Sequence, residues 1–480
     1  MATATPGSTS PAATLLAVAD GLGGLAARFA EAGHELALVG GPVRDIMLGR
    51  PGVMNDLDLT TDARPERIEE LVSGWADHVW DVGMRFGTVG ARKGDRHLEI
   101  TTYRRESYDP DSRKPEVTFG DTLAGDLARR DFTVNAMAVR LPTLEFVDLH
   151  DGMADLAAGI LRTPITPEES FGDDPLRMMR AARFVSQLGF TIDDPVLTAM
   201  TAMAPRLEIV SAERIRDELS KLLLSARPRL GLAVLVETGL ADYVLPELPG
   251  LKLEIDEHHR HKDVYEHSLT VMEQAMDLET SHQPTTEPDL VLRLAALLHD
   301  IGKPKTRRFE KDGGVSFHHH EVVGARMVRK RLTALRYPND VVDDVAQLTE
   351  LHLRFHGYGS GEWTDSAVRR YVRDAGEQLT RLHKLTRADS TTRNRKRAEA
   401  LQRAYDSLEQ RIAQLSEQEE LAAIRPDLDG NQIMQILGIP PGREVGAAYN
   451  HLLELRLDRG PLGPDEAERE LRAWWDARDN

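Results

Sequence analysis

The sequence predicts an α+β protein: a mixed sheet with helices at the N-terminus, then a chain that is almost wholly helical. From about residue 15 to 141 short apolar runs alternate with helical periods, and after about 149 strand signals nearly vanish. At 480 residues the chain is also too long for one ordinary core, so several domains are expected.

Residues 1–14 are mostly Ala, Thr, Ser and Pro without a basic stretch, which predicts a disordered tail. A helix is expected over 15–32, a strand over 35–39, a Gly40-Gly41 turn and a short helix over 43–48. Strands over 55–60, 87–92 and 96–103 complete a head domain spanning 15–149. Residues 176–188, 212–224, 228–237 and 291–299 read as helices. Gly, Pro and polar content suggests linkers at 246–256, 280–288 and 357–361. The remainder then divides into a helical neck over 150–250, a body over 251–400 and a helical tail over 401–480.

The absence of cysteine excludes disulfides, thiolate zinc sites and cysteine nucleophiles, so any metal must sit on carboxylates or histidines. A formal net charge of −18 argues against coating nucleic acid through a bulk field, yet leaves room for a local basic stripe. Aromatic residues, at 5%, are too few for stacking to be the main RNA-binding device. No apolar run approaches the roughly 20 residues that span a bilayer. A cytoplasmic protein with no membrane association is expected, and no protein partner is implied.

Asn55-Asp56-Leu57-Asp58-Leu59 alternates polar and apolar. On a strand Asp56 and Asp58 share one face while Leu57 and Leu59 enter the core. Two such carboxylates repel unless a cation lies between them, and hard oxygen donors suit Mg²⁺. Glu99 offers a third acid, because Leu98 and Ile100 beside it belong to the buried face. Upstream, Gly40 and Gly41 let backbone N–H groups approach phosphates at a helix start, with Arg44 one turn in and placed to reach a triphosphate. Downstream lie Asp126-Leu127-Ala128-Arg129-Arg130-Asp131-Phe132-Thr133-Val134-Asn135 and Asp173-Asp174-Pro175-Leu176-Arg177-Met178-Met179-Arg180-Ala181-Ala182-Arg183.

In this order the blocks resemble the class II tRNA nucleotidyltransferases and the bacterial poly(A) polymerases related to them. The likeness covers nearly the whole chain. It implies a polymerase-β-like head in which Asp56 and Asp58 are the catalytic metal pair. It also implies nucleotide-binding positions at Gly41, Arg44, Arg130 and Asn135, and a nucleotide-recognition helix carrying Asp174, Arg177, Arg180 and Arg183. Asp173 stands where related sequences often carry Glu, which keeps the charge. The implied activity is addition of CCA to the 3′ end of tRNA from CTP and ATP. Poly(A) synthesis and CC-only or A-only addition would use the same residues, and a phosphohydrolase with a relic head is the rival from another class.

The recognition helix also has a chemistry of its own. Residues spaced by threes step back by about 60° on a helix. Asp174 and Arg177 are neighbours: the acid can accept from the exocyclic amine of C or A, and the guanidinium can donate to a ring nitrogen. U and G fail that test.

Farther on, His267, the pair His299-Asp300 and Asp389 look like the ligands of an HD domain, with His320 and His352 available for a second metal position. That resemblance implies a divalent metal such as Mn²⁺, Ni²⁺ or Mg²⁺ and hydrolysis of phosphate esters. His318 and His319 are expected to be exposed loop residues. Arg214 among the arginines after the recognition helix, and the basic run from Arg387 to Arg397, are candidates to grip RNA phosphates. The last segment resembles the tail of longer family members, whose helices help hold the tRNA.

Overall fold

The computed structural model describes residues 10–22, 24–50, 55–83, 87–107, 116–120, 122–253, 263–310, 315–355, 363–391, 394–419 and 424–478. The chain forms two compact units, 1–246 and 247–480. The expected linker over 357–361 lies outside the described residues, as do residues 1–9 of the expected tail.

The first unit is built on a seven-stranded sheet. In chain order its strands are β1 (Leu36–Val39), β2 (Asp56–Thr61), β3 (His78–Gly83), β4 (Thr88–Lys93) and β5 (Arg96–Thr102). A separate hairpin, β6 (Arg104–Ser107) with β7 (Glu116–Phe119), precedes β8 (Met137–Leu141) and β9 (Glu145–Asp148). The spatial order is β3-β4-β5-β2-β1-β8-β9. Only β2 and β5 pair in parallel; every other pair in this sheet is antiparallel. β2 and β5 lie in the middle, where strands are buried on one face and reachable on the other.

The strand expected over 55–60 is therefore β2, and those expected over 87–92 and 96–103 are β4 and β5. The edge strands β3 and β9 carry exposed Trp80 and Phe146, which blurs the alternation that marks a half-buried strand. At the N-terminus one expected helix is two, Pro11–Gly21 and Leu25–Glu31, because Gly24 takes φ +70 between them. The helix also starts before residue 15: the Ser10 side chain accepts from Ala13 N, so residues 11–14 are helical rather than tail.

After the sheet come Leu176–Leu188, Ala212–Leu223 and Pro228–Glu237, close to their expected bounds. Among its described residues the second unit is helical apart from a two-stranded pair. Its central helices are Val264–Ser281, Leu290–Leu298, His320–Ala334, Asn339–Leu351 and Leu379–Asp389. Its last three helices, Gly430–Leu437, Arg443–Arg459 and Pro464–Asp476, close around Ile433, Leu452 and Leu471. No single described helix is long and apolar enough to cross a membrane.

Candidate active site and metal centre

Parallel pairing sets Asp58 beside Glu99 and Asp56 beside His97. Leu57, Leu59, Leu98 and Ile100 are at most 1% exposed, so strand alternation turns Asp56, Asp58 and Glu99 out together on the opposite face. Crowding by protein pushes the Asp58 carboxyl up against the pull of Arg130 and Arg180, and Asp56 adds to the rise. Glu99 is raised by burial and then by Asp58 and Asp56. Asp56 raises both Asp58 and Glu99, and Asp58 raises Glu99, so the three acids are a set of hard oxygen donors that could hold a divalent cation.

Gly40 makes the close approach possible. Its φ of +73 suits glycine, and an added Cβ would lie 3.2 Å from Arg130 Nη1 and 3.5 Å from Asp58 Oδ2. Gly41 opens the short helix Gly41–Met47 that carries Arg44. Arg44 differs from the sequence reading. It is 4% exposed; Nε and Nη2 donate to Asp45 at 2.9 and 3.0 Å, and Nη1 donates to Asn135 Oδ1 at 2.7 Å. It braces the site from inside rather than extending into solvent.

That brace continues. Asn135 Nδ2 donates to Asp131 Oδ1 at 3.0 Å, and Arg180 Nε donates to Asp131 Oδ2 at 2.7 Å. Burial would raise Asp131, but Arg180 and the Asn135 hydrogen bond outweigh it and hold the carboxyl well below its ordinary range. A second buried acid, Asp126, anchors Arg130 at 3.0 Å and Arg129 at 2.6 Å, and takes Thr60 Oγ1 of β2 at 3.2 Å. The two arginines that act on Asp58 are thus each held by a buried carboxylate.

Asp174 does not lie on the expected recognition helix: it stands in extended backbone between the helices Pro167–Asp173 and Leu176–Leu188, whereas Arg177 is in the first turn of the second, and both are buried. Asp174 accepts from Leu176 N at 3.1 Å and from Arg214 Nη2 at 2.8 Å. Arg177 donates to Ser170 Oγ at 2.9 Å and Arg129 O at 2.5 Å. Arg183 turns to Glu218 at 2.6 Å. Arg44, Arg180 and Arg183 all lie against the ring of Phe184, at 5.2, 5.7 and 4.2 Å from its centroid.

In the second unit His267, His299 and Asp389 form one group of potential ligands and Asp300, His320 and His352 another. Asp300 joins them: Oδ2 lies 3.2 Å from His299 Nε2 and 3.6 Å from His267 Nε2, and Oδ1 lies 3.2 Å from His320 Nε2. His299, His320 and His352 each direct Nδ1 to a backbone carbonyl, of Ala296, Phe317 and Thr349, at 2.9, 2.8 and 2.6 Å. Their Nε2 atoms are buried without a hydrogen-bond partner. Orphaned buried donor atoms that converge, with the far ring nitrogens fixed, are what a metal needs. Burial pulls His299 down, but Asp300 and Asp389 outweigh it and hold it at about 10. Burial and the neighbouring His299 push His352 down to about 3.

Gly302 lets the elements meet: a Cβ there would stand 2.1 Å from His320 O and 2.8 Å from Gly324 N. His319 is exposed and in the left-handed region at φ +63, as a loop residue would be.

Residues 36–162 match the poly A polymerase head domain, 189–251 the probable RNA and SrmB-binding site of polymerase A, and 264–394 the HD domain. The A-adding tRNA nucleotidyltransferase of Deinococcus radiodurans is 38% identical over 368 residues, 75% of this chain and 81% of that enzyme. The chain belongs to the tRNA nucleotidyltransferase family. The CCA-adding enzyme of Enterococcus faecalis is 43% identical over 212 residues, 44% of this chain but only 50% of that enzyme. In fold, this nucleotidyltransferase is similar to the Bacillus stearothermophilus CCA-adding enzyme in complex with CTP, with a TM-score of 0.66 at 24% identity over 98% of this chain and 99% of that one. The Thermotoga maritima CCA-adding enzyme complexed with tRNA gives 0.58 at 19% identity, covering 94% of each chain.

The sequence reading of this nucleotidyltransferase missed Asp126, Asp131, Arg214, Glu218 and Phe184 as partners of the site. Asp126 and Asp131 flank Arg129 and Arg130, a local signal that was available; Arg214 and Glu218 come from a helix some 40 residues away and had none. Arg214, a candidate to grip phosphate, is exposed and holds Asp174 through Nη2. Arg387, by contrast, is buried, on Asp406 at 2.8 Å and Glu409 at 2.9 Å.

Proposed function

We propose that this nucleotidyltransferase adds C, C and A to the 3′ end of tRNA, using CTP and ATP and releasing pyrophosphate. The observation that best supports this reading is the in-register pairing that puts Asp56, Asp58 and Glu99 on one face beside Arg130 and Arg180. These acids would hold Mg²⁺, which when bound makes the RNA 3′-hydroxyl more acidic and offsets charge on the phosphates. Arg130 and Arg180 stabilise negative charge developing on the triphosphate, and because Asp126 and Asp131 already hold them, little reorganisation is needed. Gly40 and Gly41 keep backbone N–H groups open to the phosphates, and Asn135 and Arg44 stiffen the floor. Asp174 and Arg177, with Arg183 farther along, offer an acceptor and a donor to the base edge.

The relatives favour two endings. The CCA-adding relatives support full addition; the Deinococcus enzyme, aligned over most of its length, is A-adding. Incubating the protein with tRNA lacking CCA and with tRNA ending in CC, supplying CTP and ATP singly and together, separates them. Full addition requires both nucleotides on the shorter tRNA. Incorporation of ATP alone, and only on the CC-ended tRNA, would establish A-addition; long A tracts would establish poly(A) synthesis. The cytoplasm, where tRNA and nucleotides meet, is the compartment this reading requires.

For the second unit we infer hydrolysis of phosphate esters with Mn²⁺, Ni²⁺ or Mg²⁺ on His267, His299, Asp300 and Asp389, with His320 and His352 completing a second position. Screening such esters with each metal tests it, and no turnover with any of them would make the centre structural.

A further inference from the structure

The second metal centre has a rim that nucleotide addition does not use. Between Asp300 and His320 the chain makes a hairpin, Arg308–Phe309 against Val315–Ser316, with Phe309 opposite Val315. One root passes through Lys303, whose Nζ lies 2.9 Å from Asp300 Oδ2. The other passes through buried Phe317 to His320, 3.2 Å from Asp300 Oδ1. Both roots are therefore fixed at proposed ligands. Val315 is five residues from His320, which keeps the hairpin within about 18 Å of the centre.

Phe309 is 76% exposed, more than any other large apolar side chain among the described residues. The Arg307 guanidinium lies 5.1 Å from its ring centroid. Lys305, Arg307 and Arg308 are all exposed on the same short stretch, and the nearby acid Glu310 accepts from Ser316 Oγ at 2.5 Å. In a chain of net charge −18, a solvent-facing ring among three cations is complementary to a nucleic-acid strand, which offers bases to stack and phosphates to pair. A mononucleotide with its phosphate at the metals would leave that rim empty; a strand would cover it with its upstream nucleotides.

We propose that this centre takes its phosphate ester at the 3′ end of an RNA strand rather than as a free mononucleotide, with Phe309 stacking an upstream base and Lys305, Arg307 and Arg308 meeting the flanking phosphates. The proposal rests on the hydrolase reading above. For a terminal 2′,3′-cyclic phosphate, the oxygen of water bonds to phosphorus, the P–O2′ bond breaks, and a proton from water ends on the freed 2′-oxygen.

The test compares a mononucleotide 2′,3′-cyclic phosphate with a short oligoribonucleotide bearing the same terminus, using the full chain with Mn²⁺. The wild type should favour the oligonucleotide by about tenfold or more in kcat/KM, and Phe309→Ala should cut that preference about tenfold, through KM. Lys305→Ala with Arg308→Ala should flatten the salt dependence of the oligonucleotide reaction. Equal kcat/KM for the two substrates, or Phe309→Ala slowing both alike, overturns the proposal. Hydrolysis of neither overturns the hydrolase reading instead. The rim is then judged by binding of a fluorescent oligoribonucleotide 3′-phosphate: affinity about tenfold weaker in Phe309→Ala supports it, and equal affinity sinks it.

Discussion

Asp58 sits between opposing demands: crowding and Asp56 raise its carboxyl, and Arg130 and Arg180 lower it. Its strand is packed by Leu57 and Leu59, so losing the acid should not cost the fold. Asp58→Ala is expected to reduce nucleotide incorporation to background while tRNA affinity and thermal midpoint stay near wild type. Substantial incorporation by the purified variant would remove Asp58 from the metal set. Base choice is the second test at this scale. A lost buried hydrogen bond of this kind costs about 1–3 kcal/mol, roughly a ten- to hundredfold change in selectivity. Asp174→Ala should therefore loosen rejection of UTP and GTP. Arg214→Ala should move selectivity the same way by less, because Arg214 Nη2 at 2.8 Å is what orients the Asp174 carboxylate. If active Asp174→Ala still rejects UTP as the wild type does, the base is read elsewhere.

Elements are joined by single residues that a sequence pattern does not expose. Asp131 ties the turn Thr133–Asn135 to the helix Leu176–Leu188 through Asn135 and Arg180. Asp131→Asn should cost about 1–3 kcal/mol and weaken use of CTP and ATP alike. Because the folded carboxyl is held below the ordinary aspartate value of 3.8, its contribution is present above pH 4 and fades as pH falls below it. Thermal midpoints of wild type and Asp131→Asn should therefore converge in acid; a gap that widens there would contradict the assignment. At the meeting of the helices Leu290–Leu298 and His320–Ala334, Gly302→Ala would drive a Cβ to 2.1 Å from His320 O. The backbone must shift, His320 moves off Asp300, and metal affinity in the second unit should fall, as titration with Mn²⁺ would detect. Undiminished affinity would show that the close approach is not needed.

Over the whole molecule the two candidate sites lie in separate compact units, so the two proposed activities should be separable. His299→Ala with Asp300→Ala should remove metal-dependent ester hydrolysis and leave nucleotide addition near wild type. In protein stripped with chelator, added Mn²⁺ should raise a thermal midpoint, since a ligand that binds only the folded state stabilises it. The same addition to the His299→Ala, Asp300→Ala variant should give a much smaller rise. An equal rise in both would mean that the metal acts elsewhere.

Local order was legible where the chemistry is periodic. The alternation through Asp56-Leu57-Asp58-Leu59 determined which side chains face together, and three-residue spacing put Arg177, Arg180 and Arg183 on one helix, while Asp174 stands just before it in extended backbone. The resemblance to an HD domain, carried by His267, His299-Asp300 and Asp389, named residues that converge in the second unit. The strand and helix signals are carried by neighbours along the chain. What they cannot carry is pairing between segments far apart. Parallel register between β2 and β5 decided that Glu99 stands next to Asp58, across 41 residues of sequence. Burial decided that Arg44 is a brace, and helix packing decided that Arg214 belongs to Asp174 and Arg387 to Glu409. An arginine reads the same in sequence whether it faces water or a buried acid; only the packed structure supplies its partner, because an ion pair depends on distance in space and leaves no period along the chain.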